Sequence, residues 1–361
     1  MRSRLAMVGP ASFFVLQHLV LPNCAEGQNP ARDSSAPIST SGFVDTYFSW
    51  NFARPLSHAN RLRNFDLNEN RVVLSAAEIE FQRNASPVGF HIEASVGSTA
   101  DITNSGNSET DRLVQQAYLS AILPVGSGLT IDAGKFVTHL GYETIKAKDN
   151  ANYSRSFLFS WAIPYYHLGV RATYAVLENL TLGLHLCNGW NNSSSNSGKT
   201  FGAMASYTPT PKVTLIANWI GGPEEPDSVS SRFRNVSEGI VMVQATKQFG
   251  VGLDAVYGSE SLGGMTLLWS GVAAYGRFSL ADGSFLSARA EAYSDPQGFT
   301  TGLPQDLKEV TLTYERRLLA NLLLRTEYRY DWSTSSAFDS DTGLFTRANQ
   351  STIVLATIVT F

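Results

Sequence analysis

The feature that most constrains this chain is a two-residue rhythm. From about Thr40 to Phe361, segments of about ten residues alternate apolar with polar or small side chains, stop at a polar break, and resume. In LTLGLHLCNGW (180–190), Leu180, Leu182, Leu184 and Leu186 share one phase, while Thr181, Gly183, His185 and Cys187 share the other. In HLGVRATYAV (167–176), Leu168, Val170, Ala172, Tyr174 and Val176 oppose Gly169, Arg171 and Thr173. In NLLLRTEYRYDW (321–332), Leu322, Leu324, Thr326, Tyr328 and Tyr330 oppose Arg325, Glu327, Arg329 and Asp331. Period two is the mark of strands whose faces meet different surroundings. These segments reach about 9–12 residues, longer than most sandwich strands and long enough to cross a bilayer when tilted.

The connections alternate in length. Short ones fall at 83–87, 124–127, 177–179, 209–211, 249–250, 281–283 and 318–320. Longer ones, rich in Gly, Ser, Asn and Asp, fall near 53–68, 99–110, 139–164, 191–198, 222–234, 259–263, 295–305 and 333–347. Short turns on one rim and long loops on the other predict an all-β, transmembrane, antiparallel up-and-down β-barrel of about sixteen strands, with about fourteen or eighteen as alternatives. The short turns would be periplasmic and the long loops external. Residues 111–123 alternate poorly, and 264–280 reads either as one long strand or as a strand with a bulge.

A barrel also explains the composition. Only 16% of residues are charged, against roughly 25% in average soluble domains. No apolar run reaches the ~18–20 residues of a spanning helix. In lipid every backbone group must be paired, so the sheet must close. Outward positions then have to be apolar, and a wide barrel can hold water and charge inside. Arg171, Arg289, Glu291, Glu309, Glu315, Arg325, Glu327, Arg329 and Asp331 all take the inward phase. An Arg on the lipid face would cost about 2–4 kcal/mol near the midplane. Tyr47, Trp50, Tyr174, Trp190, Trp219, Tyr257, Tyr275, Tyr293, Tyr328 and Trp332 sit near segment ends, as aromatic girdles do. The net charge of −4 gives no case for nucleic acid.

The N-terminus reads as an address. Arg2 and Arg4 precede an apolar stretch, Leu5–Leu21, and then Asn23-Cys24-Ala25. This is the layout of a signal peptide (1–25) cut near Ala25; lipidation at Cys24 is disfavoured by Asn23. Residues 26–41 read as a flexible spacer, leaving 42–361 as the barrel. Cutting there removes two arginines and no acid, so the charge becomes −6, and Cys187 is the cysteine that remains. A lone thiol makes no internal disulfide. In the last segment, STIVLATIVTF, Ile353, Leu355, Thr357, Val359 and Phe361 share one phase. A terminal aromatic on such a strand is the kind of signal read by the barrel assembly machinery, so Phe361 is the expected assembly signal.

Residues 128–171 carry DAGKF, GYE, NYSRS and PYYHLGVR in order. Together with GFVDTYFSWNFARP (42–55) and NGWN (188–191), this block resembles the OmpL-like β-barrel porin family of Gram-negative bacteria. The resemblance spans nearly all of the chain after the spacer and is strongest in the central block. It implies an outer-membrane barrel and passive channel activity. Lys135 departs from the pattern, because it shares the phase of Leu129, Ile131 and Ala133; either a bulge resets the face or its stem snorkels.

The longest connection, 139–164, is the third long loop. It carries Glu143, Lys146, Lys148, Asp149 and Arg155. In trimeric porins the third loop narrows the lumen, so these five are pore-lining candidates, facing wall charges Arg171, Arg325, Glu327 and Arg329. The alternative is a loop packed over the mouth or against a neighbouring subunit. His167 and His185 share the inward phase, but no HExxH, cysteine cluster or carboxylate spacing makes a metal or cofactor expected. A barrel lipase or protease assembles its triad across strands; no GxSxG stands here, and an enzyme is not expected. A non-conducting structural or adhesin barrel is the other alternative. The expected partners are outer-membrane lipids, the assembly machinery and small polar solutes, with a homotrimer as one option.

Overall fold

The computed structural model describes residues 37–109, 111–191, 196–227, 233–280 and 283–361. The leader 1–25 and residues 26–36 of the spacer lie outside the described residues. Sixteen strands close one antiparallel barrel. In chain order they are β1 (Ser39–Asn51), β2 (Val72–Arg83), β3 (Val88–Val96), β4 (Val114–Leu123), β5 (Leu129–Val137) and β6 (Tyr166–Leu177). Next come β7 (Leu180–Cys187), β8 (Thr200–Thr210), β9 (Val213–Gly222), β10 (Arg234–Gln244), β11 (Phe249–Leu262) and β12 (Met265–Ser279). The chain ends with β13 (Ser284–Asp295), β14 (Gln305–Leu319), β15 (Leu322–Ser333) and β18 (Asn349–Thr360). A small hairpin, β16 (Phe338–Ser340) with β17 (Gly343–Arg347), sits in the loop before the last strand.

Each strand pairs with its sequence neighbour, and β1 closes the ring on β18, with Phe43 opposite Thr360 and Trp50 opposite Ile353. Closure leaves no edge, which is what a sheet in lipid requires. Alternation puts the apolar residues outside. Leu184 is 66% exposed and its neighbour His185 only 6% exposed, a contrast that fixes which face is which. All nine charges read as inward do face the lumen.

The two irregular segments have physical explanations. In 111–123 the pairing runs Glu93 to Gln116 and then Ala94 to Val114, so Gln115 is an extra residue in a bulge, and the alternation slips there. The segment 264–280 is one continuous strand, β12, in unbroken register with β11. The loop expected at 259–263 shrinks to Gly263-Gly264, because the polar residues Ser259–Ser261 are strand residues at the rim. The turn expected at 249–250 lies instead at 245–248, with Phe249 already paired to Phe278. β1 starts at Ser39, three residues inside the segment read as spacer.

Three girdle candidates point inward. Tyr47, Tyr275 and Tyr293 are buried in the lumen, each in phase with a polar neighbour two residues away: Asp45, Arg277 and Glu291. Trp219, Tyr257 and Tyr328 are exposed on the outside, as expected. Lys135 snorkels. No bulge interrupts β5, and its Nζ donates to Asn104 Oδ1 at 2.6 Å and to the Val114 carbonyl at 2.5 Å.

The apolar core of the molecule lies inside the barrel. Leu140, Phe157, Leu158 and Tyr165 of the third loop pack with Phe65 of the first loop and Trp269 of the wall.

Candidate functional site

The third long loop fills much of the lumen. It leaves β5 after a last backbone rung, Thr138 N–H to the Tyr165 carbonyl at 3.0 Å. Gly141, at φ +106, then turns the chain inward, in a conformation that side-chain-bearing residues rarely adopt. Opposite it, Gly252 of β11 leaves the space that the Tyr142 ring occupies; an added Cβ would lie 2.4 Å from that ring.

A loop without a ladder must find partners for its peptide groups elsewhere. Here the wall supplies them by charge. Carboxylates accept the N–H groups. Glu238 takes Gly141 N–H at 2.9 and 3.0 Å. Glu327 takes Tyr153 at 2.5 Å and Ser154 at 2.8 Å, and Glu291 takes Phe157 at 2.7 Å and Leu158 at 2.6 Å. Guanidiniums donate to the carbonyls. Arg325 reaches Ala147 at 2.5 Å and Asn150 at 2.6 Å. Arg329 reaches Arg155 O at 2.6 Å, and Arg289 reaches Ser154 O at 2.7 Å. The wall charges also balance one another: Arg289 with Glu309 at 2.6 Å, Arg325 with Glu315 at 2.7 Å, and Arg329 with Asp331 at 2.6 Å. Buried pairs of this kind fix position more than they add stability, but removing one partner costs about 3–5 kcal/mol.

The five loop candidates have three different fates. Glu143 pairs with Arg289 at 2.6 Å. Lys146 bonds Glu93 and, at 2.7 Å, Glu78. Burial pulls the Lys146 pKa down, and the Glu93 and Glu78 carboxylates more than reverse this, so it stays charged. Lys148 and Asp149 pair with each other at 2.9 Å. Arg155 turns into its own loop, donating to the Ile145 carbonyl and to Tyr153 O at 2.6 Å, with its guanidinium 4.3 Å from the Phe65 ring centre. The expected face-off of loop charges against Arg171, Arg325 and Arg329 is therefore corrected. Arg325 and Arg329 hold loop carbonyls, and Arg171 pairs with Asp132 of the neighbouring strand at 2.8 Å. Glu327 meets the loop through backbone N–H groups.

The sequence reading missed two groups. One is the first long loop, which locks onto the third. Asn64 donates to Ser160 O at 3.0 Å, Trp161 Nε1 donates to Leu62 O at 3.0 Å, and Phe65 meets Tyr165 edge-on at 5.7 Å. Arg63 reaches Asp331 at 2.7 Å and Asp66 at 2.5 Å. The other is the set of wall carboxylates Glu78, Glu93 and Glu238. Their inward phase was the available signal.

His167 and His185 are buried on neighbouring strands, and His139 lies beside both. His139 stacks on His185 with ring centres 4.0 Å apart and lies 6.2 Å from His167. Burial and the neighbouring His167 push the His139 pKa down to about 3. Around the Lys146 tether, Glu80, His91, Lys146 and Arg171 keep side-chain exposures of 19%, 12%, 13% and 17%, so part of each stays open to solvent.

The fold has solved counterparts. The "Anion-selective porin from Comamonas acidovorans" superposes with a TM-score of 0.65 at 8% identity, covering 90% of this chain and 99% of that one. The outer membrane channel DcaP of Acinetobacter baumannii gives 0.62 at 10% identity, covering 90% and 97%. The outer membrane protein OmpT of Vibrio cholerae gives 0.58 at 11% identity, covering 90% and 97%. At such identities the likeness is one of fold. No curated protein sequence matches the chain. The family model described as "Putative beta-barrel porin-2, OmpL-like" matches residues 37–361, from just before β1 to the last residue. The chain belongs to the OmpL-like family of β-barrel porins.

Proposed function

We propose that the protein is a passive diffusion channel of the bacterial outer membrane for small hydrophilic solutes and ions, narrowed by its third loop. One observation carries this reading. The loop is clamped along β13–β15 and reaches β2 and β3 through the Lys146 ammonium, while Glu80, His91 and Arg171 beside that contact stay partly exposed. A charged, water-facing strip beside an anchored loop is how a wide barrel becomes a selective pore. Glu143, Lys146 and Arg155 then act by setting the loop's position, and Lys146, Lys148 and Arg171 border the passage.

Export through the N-terminal signal peptide and insertion guided by Phe361 fit this location. Phe361 is exposed on the outer face and exchanges two backbone hydrogen bonds with Gly42, each 3.0 Å. A homotrimer is part of the proposal; OmpT of Vibrio cholerae has been solved in a trimer form. A second reading, a non-conducting structural barrel, is favoured by the joint packing of the first and third loops. Conductance and reversal potential of the reconstituted protein in a salt gradient decide between them. Discrete steps with a reversal potential set by the gradient support the channel; a silent bilayer with folded protein present contradicts it.

A further inference from the structure

We infer that Glu80, His91 and Glu93 form a lumen-facing site for a divalent transition-metal ion of the zinc, nickel and cobalt class. The three residues lie on adjacent strands in fixed register, with Glu80 opposite Glu93 and Gln82 opposite His91. One donor atom from each lies within 4.8 Å of the others. Zinc–ligand bonds of about 2.0–2.2 Å need donors roughly 3.4 Å apart, so modest side-chain rotations close the set. An imidazole with two carboxylates suits zinc-like ions better than calcium or magnesium, which prefer oxygen alone. Three protein donors leave a position for water from the lumen.

Independent contacts hold the ligands in place. The His91 ring stacks on Tyr118, with centres 5.1 Å apart and planes 11° apart. Gln116 Nε2 donates to Glu93 Oε2 at 2.9 Å, occupying the carboxylate's second oxygen. The site already attracts a cation from the chain itself. The Lys146 ammonium bonds Glu93, lies 2.7 Å from Glu78 and 3.5 Å from Glu80, and is one positive charge facing three carboxylates. Glu80 and His91 are partly exposed, which gives an ion a way in. No sequence spacing announces the site, because its ligands are split between two strands.

Metal and ammonium cannot both hold Glu93. Binding therefore competes with Lys146 and releases one tether of the third loop. The site itself does not depend on the channel reading; only its effect on conductance does.

The test is zinc chloride titrated calorimetrically into chelator-treated, full-length protein folded in detergent. The wild type should bind about one ion per chain. His91→Gln and Glu80→Gln should each weaken binding by about tenfold or more. Lys146→Met should tighten it by about tenfold, because the competing cation is gone. His58→Gln, at the separate His58–Glu69 pair, should change nothing. Heat-modifiable gel mobility checks that each variant is folded. The proposal is overturned if folded His91→Gln and Glu80→Gln bind zinc as the wild type does, if Lys146→Met weakens binding, or if His58→Gln abolishes it. Zinc binding that leaves an active channel's conductance unaltered would count against release of the loop and leave the site standing. Zinc binding by a protein that never conducts would count against the channel reading alone.

Discussion

The wall from β9 to β15 and the wall from β2 to β6 come from the same alternating pattern, yet their inward charges are used differently. On the first, Glu238, Arg289, Glu291, Arg325, Glu327 and Arg329 are buried under the third loop and spent on its peptide groups. On the second, Glu78 and Glu93 hold one loop ammonium, that of Lys146, while Glu80, His91 and Arg171 stay partly exposed. Inward phase alone does not make a residue part of a passage. A charge clamped to backbone holds structure, and a charge left to water is free to meet solutes.

That division has consequences of graded size. Deleting 146–156 removes the loop segment clamped by Arg325, Glu327 and Arg329. Single-channel conductance in planar bilayers should rise several-fold, and unchanged conductance would break the division outright. Arg289→Met strands Glu143 and Glu309 without their buried partner. It should lower unfolding stability by about 3–5 kcal/mol, read as a denaturant midpoint. Glu327→Ala leaves two buried N–H groups unpaired, at about 1–3 kcal/mol each, and should add flicker to the open-channel current. Arg171→Gln acts on the wet side. Its partner Asp132 is buried and loses one charged hydrogen bond, so stability should fall by about 1–3 kcal/mol, while the reversal potential should move toward cation preference. A shift of equal size from Arg329→Gln would blur the distinction between the two walls.

The effect smallest at neutral pH, growing only in acid, lies at the loop's hinge. His139 has its pKa held near about 3, below the 6.5 of an ordinary histidine. The unfolded chain therefore takes up this proton first. The contribution of His139 is intact above about 6.5 and is lost as pH falls toward about 3. Thermal midpoints measured between neutral pH and about 4.5 should fall less steeply in His139→Asn than in the wild type.

Much of the architecture is legible in the residues. Strand faces such as Leu182, Leu184 and Leu186 against His185 and Cys187 follow from period two. The family resemblance and the fold agree with that reading. Boundaries fail where composition and geometry disagree: Ser259–Ser261 are polar but stay paired, and only Gly263-Gly264 turns. Tyr47, Tyr275 and Tyr293 show that position along a strand is a poorer guide than phase, since each shares its phase with a lumen charge. The pairing of Arg325 and Arg329 with loop carbonyls has no signature in sequence. Those partners are more than a hundred residues apart and are chosen by where the loop falls inside the ring.

The position of the loop is what everything else depends on, and it can be tested with two thiols. Asn152 of the loop donates to Thr313 of β14 at 2.7 Å, across the lumen from the loop's own strands. In a Cys187→Ser background, Asn152→Cys with Thr313→Cys should be joined by a short bifunctional thiol reagent in the folded barrel, with conductance per channel left unchanged. Two reactive thiols that never join, or a joined pair that stops conduction, would show that the loop lies elsewhere in the working protein.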